Sequence, residues 1–159
     1  MDDLAIARAI HVLAIVHWIG GVTLVTAVLL PAIARLSEPS RRLAIFEEIE
    51  GRLSRQAKVS VTLAGLSGVY MTYRLEAWDR FADPQFWWMP AMVLIWTIFT
   101  FVLFVGEPLF LQAWFRRRAA QDATGTFAMV RRAHWVLLTL SAGTIAGAVL
   151  GSHGTAWPF

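Results

Sequence analysis

The sequence predicts an all-α integral membrane protein, a bundle of four transmembrane helices with both termini in the periplasm. Hydrophobic residues make up 57% of the 159 residues and charged residues only 16%, whereas ordinary soluble domains contain about 25% charged residues. The mean hydropathy of +0.57 agrees with this. Four apolar stretches alternate with short basic blocks, a pattern typical of membrane topology signals. The predicted spans cover residues 9–33, 57–74, 86–106 and 133–151.

Three of the four stretches have the length that a bilayer requires. A helix needs about 20 residues to cross roughly 30 Å of hydrocarbon, and spans 1, 3 and 4 reach that length. The second stretch is uncharged only from Val59 to Tyr73. It becomes a full span if Gln56 and Lys58 lie at one interface and Arg74 lies at the other, because long side chains extend to the headgroup region.

The distribution of Lys and Arg predicts the orientation of the bundle. Eleven of these residues lie in the loops that follow spans 1 and 3, namely Arg35, Arg41, Arg42, Arg52, Arg55, Lys58, Arg116, Arg117, Arg118, Arg131 and Arg132. Only Arg8, Arg74 and Arg80 lie on the other side. Cytoplasmic loops carry the excess of positive charge, so both basic loops are expected in the cytoplasm and the bundle in a bacterial inner membrane. A cleavable signal peptide is disfavoured because Asp2 and Asp3 precede the first span.

Helical structure is expected to continue beyond the second and third spans. Apolar residues recur at near-helical spacing over residues 43–53, so the second helix is expected to begin in the cytoplasm with Ser40 as its cap. Glu107 and Pro108 end the third span. Pro108 is expected to loosen the helix, and Glu107 to form an ion pair with an arginine or with His134.

Small residues predict close approach of helices within the lipid. Ala64 and Gly68 form a small-x-x-x-small pair on span 2, and Gly143, Gly147 and Gly151 form a longer run on span 4. Such residues allow two backbones to pack closely where no hydrophobic force drives the helices together. A second interpretation applies to span 4, in which Gly147 and Gly151 make room for a flat cofactor.

Histidines inside apolar spans are candidates for function, because ionisable groups are costly in lipid. At about 1.5 Å per residue, His11 and His153 each lie about 15 Å from the bilayer middle on the periplasmic side, and His17 about 6 Å. His134 lies about 13 Å away on the cytoplasmic side. His11 and His153 therefore share the depth that two axial ligands of one haem need. His17 replaces His11 in this pair only if the segment after span 4 dips inward.

Methionines beside these histidines favour a second metal. Met71, Met89 and Met92 fall near the periplasmic ends of spans 2 and 3. Thioether and imidazole ligands together suit Cu(I), so copper binding is the alternative to haem.

Several classes of site are excluded by composition. The chain has no cysteine, which removes disulfides, thiolate metal sites and cysteine nucleophiles. The net charge of +3 does not indicate nucleic acid as a partner, because the basic residues lie in short blocks between apolar stretches. No glycine-rich phosphate loop and no Ser/His/Asp set with an aqueous pocket is recognisable in the sequence.

Two motifs resemble those of a known group of small bacterial membrane proteins. His11 is followed after six residues by Trp18-Ile19-Gly20-Gly21, which resembles the first-helix signature of HemJ-type protoporphyrinogen oxidases and CopD-type copper-resistance proteins. The segment Phe46-Glu47-Glu48-Ile49-Glu50-Gly51-Arg52-Leu53 leads into Leu66-Ser67-Gly68. It is similar to the HemJ-type Phe-x-x-Met-Glu-Arg-Arg-Leu stretch.

The resemblance implies a four-helix bundle that holds b-type haem, with His11 as the haem-associated histidine. HemJ-type enzymes also carry a lysine four residues after a tryptophan in the third helix. Here Trp88 is followed at that distance by Met92, so an ammonium group of the family site is missing. His153 or Met92 is then the replacement second ligand.

The predicted function is that of a haem b-binding, cytochrome b-like membrane protein that performs electron transfer or redox chemistry in the periplasmic half of the membrane. Two axial imidazoles give a low-spin centre suited to one-electron transfer. CopD-like copper transport and HemJ-like protoporphyrinogen oxidation are the alternatives. The expected partners are the lipid bilayer, a quinone or a redox protein, and further copies of the chain. The expected site residues are His11, His153, His17, Trp18, Gly147 and Gly151, with His17 and Met92 as alternative ligands.

Overall fold

The computed structural model describes residues 2–153, and nearly all of them are helical, with no strand in that range. The α-helices of this range are α1 (Asp2–Leu24), α2 (Leu30–Leu36), α3 (Pro39–Arg74), α4 (Trp88–Phe101), α5 (Gln112–Gln121) and α6 (Ala123–Ser152). One π-helical segment, Val25–Leu29, joins α1 to α2, and another, Val102–Leu111, joins α4 to α5. Two short 3-10 turns, Asp79–Phe81 and Pro84–Phe86, lie between α3 and α4.

Three continuous helices of the described range are long and apolar enough to span a membrane. They run over Asp3–Leu36, Trp88–Gln121 and Ala123–Ser152. They contain predicted spans 1 and 4, and all of predicted span 3 except residues 86 and 87. α3 is also long but does not belong to this set, because its uncharged stretch is short. The structure is therefore all-helical with three helices of membrane-spanning character, and the fourth crossing stays a prediction.

The helices extend beyond the apolar stretches, as expected for the second and third. α3 begins at Pro39 and α5 ends at Gln121, both among basic residues. The expected cap of α3 is wrong: Ser40 lies inside the helix and Glu38 holds the N-cap position. The physical reason is the proline, since its fixed φ suits the first helical position and its missing N–H costs nothing there.

The helix after Phe101 is loosened, as the proline predicts. Pro108 lies within the π segment Val102–Leu111, where the ring excludes the backbone hydrogen bond of a regular α-helix. π segments are frequent at functional sites. α6, in contrast, begins with an ordinary N-cap. The Asp122 side chain accepts a hydrogen bond from Gly125 N at 2.8 Å.

Two groups of buried apolar side chains hold the bundle together. One lies at the end of the bundle where the basic residues collect, the basic end, and contains Val25, Leu30, Ile33, Leu43, Phe46, Phe127 and Val130. The other lies further from that end and contains Trp18, Val61, Phe99 and Leu103. Large apolar side chains also cover the outside; Leu13 is 68% exposed and Leu109 is 73% exposed. An apolar surface of this kind suits lipid, since soluble proteins rarely leave such areas in water.

Tryptophans at the start of α4 pack against glycines of α6. A Cβ placed on Gly147 would lie 2.5 Å from the Trp87 ring, and Trp88 packs against Gly151 in the same way. Real Cβ atoms essentially never approach so closely, so each position admits a larger residue only if the indole ring moves. Gly147 and Gly151 thus make room for these two indole rings.

Candidate functional site

α1 runs antiparallel to α3, and polar contacts fix the register between the two helices. At the end of the bundle that holds the start of α1 and the end of α6, which we call the terminal end, Arg74 Nη2 lies 2.7 Å from Asp3 Oδ2. Further along, His17 Nδ1 lies 2.8 Å from Ser60 Oγ. His11 lies between these two contacts. The inward face of α1 is thus held against α3 by side chains rather than by apolar packing alone.

The imidazole of His11 is half-buried between α1 and α3. Its Nδ1 lies 2.9 Å from the Ala64 carbonyl oxygen and 3.1 Å from Ser67 Oγ. A carbonyl oxygen only accepts hydrogen bonds, so Nδ1 carries the proton and Nε2 of the neutral ring keeps its lone pair. Gly68 makes room for the ring, since a Cβ there would lie 3.2 Å from His11 Cε1. Metal-binding histidines usually donate their second ring N–H in this way.

His17 also contacts α3, at a point closer to the basic end than the contacts of His11. Ser60 Oγ, which lies against His17 Nδ1, also donates to the Gln56 carbonyl oxygen at 3.3 Å. Because the hydroxyl proton of Ser60 is used there, His17 Nδ1 is the donor in its contact with Ser60. The ring of His17 is exposed on the outside of the bundle, so it faces the surroundings and not the core.

The other two histidines are held by their own helix. Nδ1 of His134 lies 2.9 Å from the Val130 carbonyl oxygen, and Nδ1 of His153 lies 2.7 Å from the Val149 carbonyl oxygen. The His134 ring packs edge-on against Phe46, with centroids 5.6 Å apart. His153 is exposed at the C-cap of α6. The predicted ligands His11 and His153 therefore share the terminal end, whereas His134 lies at the basic end.

Trp18 lies on the same face of α1 as His11, because seven residues make almost two full helical turns. It is 6% exposed and packs edge-on against Phe99, with centroids 4.8 Å apart. Its indole Nε1 has no hydrogen-bond partner among residues 2–153. A buried donor without an acceptor is costly, so an added group with an acceptor atom would be stabilised beside this N–H.

The remaining predicted site residues have other neighbours. Met92 is half-buried in the first turns of α4. At Gly147 and Gly151 the space that a cofactor would need is filled by the indole rings of Trp87 and Trp88. At Gly143, in contrast, nothing lies within 4 Å of an added Cβ.

A second polar group lies at the basic end of α3. Glu107, in the π segment, accepts a hydrogen bond from Ser54 Oγ, and its Oε2 lies 3.5 Å from Lys58 Nζ. Glu107 thus forms the expected ion pair, but its partner is Lys58 and not an arginine or His134, because Lys58 projects from the face of α3 that packs against the π segment. Glu47 Oε2 lies 2.9 Å from Arg116 Nε. We call this group the carboxylate cluster; its members are Glu47, Glu50, Ser54, Lys58, Glu107 and Arg116.

Glu50 is the member of the carboxylate cluster that titrates near neutral pH. Burial, followed by the charge of Glu107, raises the pKa of Glu50 to about 7. The charge of Glu47 also raises the pKa of Glu50, whereas the charge of Lys58 lowers it. Three carboxyl groups thus face two cations, and a proton on Glu50 balances the charges.

Three serines of α3 contribute to these sites, although the sequence predicted a role for none of them and only Ser67 lies in a motif, Leu66-Ser67-Gly68. Ser54, Ser60 and Ser67 are 3%, 5% and 7% exposed, and each contacts a titratable side chain from another helix. The spacing of seven residues between Ser60 and Ser67 puts both on one face of α3. That spacing is the available signal, but it is weak, because serine is common in membrane helices for packing alone.

The donor atoms at the terminal end suit the axial position of a haem iron. No three side chains of His, Cys, Asp or Glu come together as a metal site in the part of the chain that the structure describes. A haem iron needs only one or two protein ligands, and His11 offers Nε2 in the required tautomer. The indole N–H of Trp18 lies on the same helix face and has no acceptor among residues 2–153, so it would donate a hydrogen bond to an acceptor atom of a large bound group.

Comparison with known proteins identifies no relative: no protein-family model, no curated protein and no solved structure matches the chain.

Proposed function

We propose that this chain is a multi-pass membrane protein that binds haem b through His11 and takes part in one-electron transfer. The observation that carries the proposal is the contact between His11 Nδ1 and the Ala64 carbonyl oxygen, at 2.9 Å. It assigns the proton to Nδ1 and leaves Nε2 as the ligating atom. The apolar outer surface and the three membrane-spanning helices support the location in a bilayer.

His153 is the proposed second axial ligand. Its Nδ1 is bonded to the Val149 carbonyl oxygen, so its Nε2 also keeps a lone pair. The ring is exposed and held only by its own helix, which leaves it able to turn toward an iron at His11. His17 and Met92 are the alternative ligands, because both lie in helices that reach the same half of the bundle.

The surrounding residues orient the ligand and exclude water. Ala64 and Ser67 fix the imidazole plane of His11 through two contacts, and Gly68 leaves the space in which the ring stands. Bound haem b supplies a one-electron couple whose potential depends on its axial ligands and burial. A quinone in the lipid or another redox protein is the proposed electron partner.

The proposed topology has four crossings, with α3 as the second one and both termini in the periplasm of a bacterial inner membrane. α3 supports this because its half with Val61, Ala64 and Ser67 packs inside the bundle, alongside the membrane-spanning helix that contains α1. If α3 crosses the membrane, its two ends lie on opposite sides of the bilayer. If the protein has only three spans, both ends of α3 lie on the same side.

The absence of cysteine allows the topology to be tested with single-cysteine variants. Asp79→Cys and Ser40→Cys place thiols at exposed positions beyond the two ends of the α3 crossing, and Gln121→Cys marks the turn after α5. In intact spheroplasts, a membrane-impermeant maleimide is expected to label Asp79→Cys alone. Equal labelling of Asp79→Cys and Ser40→Cys would contradict the crossing by α3.

The haem proposal is tested on protein purified from its own membrane, with haem and metal content measured on one sample. The wild type is expected to hold haem, and His11→Ala to retain at least roughly tenfold less. His134→Ala is the matched control, because it removes an imidazole at the basic end, and it is expected to keep its haem. A colourless protein with bound copper would instead favour the CopD-like alternative.

A further inference from the structure

A pocket at the basic end carries an excess of positive charge. It lies at the bend between α2 and α3, has a volume of about 450 Å³, and is open on one side. Arg35, Arg41 and Arg42 line it, together with a single acidic residue, Glu38. The volume falls within the range of small-ligand sites, roughly 300–1,000 Å³.

The bend itself organises these guanidinium groups. Arg42 Nε donates to the Ser37 carbonyl oxygen at 3.1 Å, which turns Arg42 over the bend and leaves its other N–H groups for a ligand. Arg35 and Arg41 are exposed and form no ion pair with the residues that the structure describes. A guanidinium presents several N–H donors in a fixed plane that matches the oxygens of a phosphate group.

The pocket also has an apolar edge. Leu36 is 85% exposed at the end of α2, and Ile45 also lines the pocket. Leu36 is the last residue of the continuous helix Asp3–Leu36, which is long and apolar enough to span a membrane. A site with cationic groups and a protruding leucine at the edge of the bilayer matches an amphiphile better than a fully hydrated ion.

We propose that this pocket binds the headgroup of an anionic phospholipid. The phosphate interacts with Arg35, Arg41 and Arg42, and the glycerol and acyl carbons lie along Leu36. Basic pockets at the membrane surface bind acidic headgroups because each cation near the surface adds to the attraction. The site is at the opposite end of the bundle from His11 and is independent of haem binding.

The test compares two lipids and two matched double variants of the full chain in neutral detergent. Bound lipid is measured by native mass spectrometry with phosphatidylglycerol and with phosphatidylcholine. Arg35→Gln/Arg41→Gln removes two exposed cations of the pocket, whereas Arg117→Gln/Arg131→Gln removes two exposed cations from the same end but outside the pocket. Arg42 is kept, because it holds the bend.

The wild type is expected to bind phosphatidylglycerol at least roughly tenfold more tightly than phosphatidylcholine. The pocket variant is expected to lose about tenfold or more of that affinity, and the control variant less than about threefold. If the wild type binds both lipids with equal affinity, the proposal is wrong whatever the variants do. Equal losses in the two double variants would also overturn it, since the attraction would then be a property of the whole basic surface.

Inorganic phosphate distinguishes a lipid headgroup from a free anion. Millimolar phosphate is expected to leave bound phosphatidylglycerol in place. If phosphate displaces the lipid, or binds the wild type as tightly by itself, the assignment to a phospholipid is wrong.

Discussion

The two halves of α3 bind their neighbours through different chemistry. In the half near the terminal end, Ser60 and Ser67 contact the imidazoles of His17 and His11, and every group can remain neutral. In the half near the basic end, Ser54 contacts Glu107 within the carboxylate cluster, where charges of both signs meet. One helix thus uses the same side chain, a buried serine, for a neutral contact and for a charged one.

The difference follows from where each half lies. The terminal half of α3 carries no charge between Lys58 and Arg74, and these two residues at its ends are ion-paired with Glu107 and Asp3. An unpaired charge in an apolar span is costly. The other half begins at Pro39 among basic residues, where water reaches the side chains. The neutral half can offer a lone pair to a metal, whereas the charged half can exchange a proton. We therefore expect ligand binding in the first region and pH sensitivity in the second.

The largest expected effect comes from a change that displaces His11 without removing it. Gly68→Val adds a Cβ 3.2 Å from His11 Cε1 together with two methyl groups, so the imidazole is expected to shift away from the Ala64 carbonyl oxygen. Haem content is expected to fall by roughly tenfold or more, as when an outer partner of a ligating histidine is lost. Gly143→Val is the matched control, because an added Cβ there meets nothing within 4 Å. Equal haem loss in both variants would remove the special role of Gly68.

In the charged half, Lys58→Met is expected to destabilise the protein. The variant leaves Glu107 without its cation, at a position where the side chain is only 14% exposed. The expected loss is roughly 1–3 kcal/mol in the free energy of unfolding, since a half-buried carboxylate loses its partner. Chemical denaturation in detergent measures it, with Arg117→Met as the exposed control. An unchanged midpoint for Lys58→Met would show that the ion pair contributes nothing.

The sequence predicts those features of the two regions that depend on residues close together in the chain. The helices, the loosening at Pro108 and the location of His11 near one end of the bundle follow from hydropathy, proline chemistry and helical rise. The partner of Glu107 does not, because Lys58 is distant in sequence and competes with many arginines. The contact between His11 and Ala64 also depends on the register of α1 against α3, which apolar periodicity does not specify.

Glu50→Gln is expected to stabilise the protein at alkaline pH. The pKa of Glu50 is about 7 in the folded state, above its ordinary value of 4.5. The folded state therefore binds this proton more tightly, and stability falls as pH rises from about 4.5 to about 7. Glutamine cannot ionise, so the variant is expected to lose this fall and gain roughly 1–3 kcal/mol above pH 7. Denaturation curves at about pH 5 and pH 8 measure it.

Glu48→Gln is the control for Glu50, because Glu48 is an exposed carboxylate on the same turn of α3. Its curves are expected to follow those of the wild type at both pH values. A pH dependence that persists in Glu50→Gln would place the titrating group elsewhere in the carboxylate cluster.

The smallest expected effect belongs to Ser67→Ala. His11 Nδ1 keeps its contact with the Ala64 carbonyl oxygen and loses only the one with Ser67 Oγ, at 3.1 Å. The expected loss of stability is about 0.5–1.5 kcal/mol, the net contribution of one hydrogen bond, and haem is retained. Thr97→Ala, at an exposed threonine bonded to its own helix, is expected to change neither property. Complete haem loss in Ser67→Ala would mean that the serine, and not the carbonyl, orients the ring.

The most direct test of haem ligation by His11 and His153 is a low-temperature electron paramagnetic resonance spectrum of the oxidised protein from its own membrane. A low-spin ferric haem signal is predicted for the wild type, because two imidazoles occupy the axial positions. His153→Ala is predicted to convert it to a high-spin signal. A wild-type spectrum with no haem signal, or with a Cu(II) signal in its place, would contradict the account.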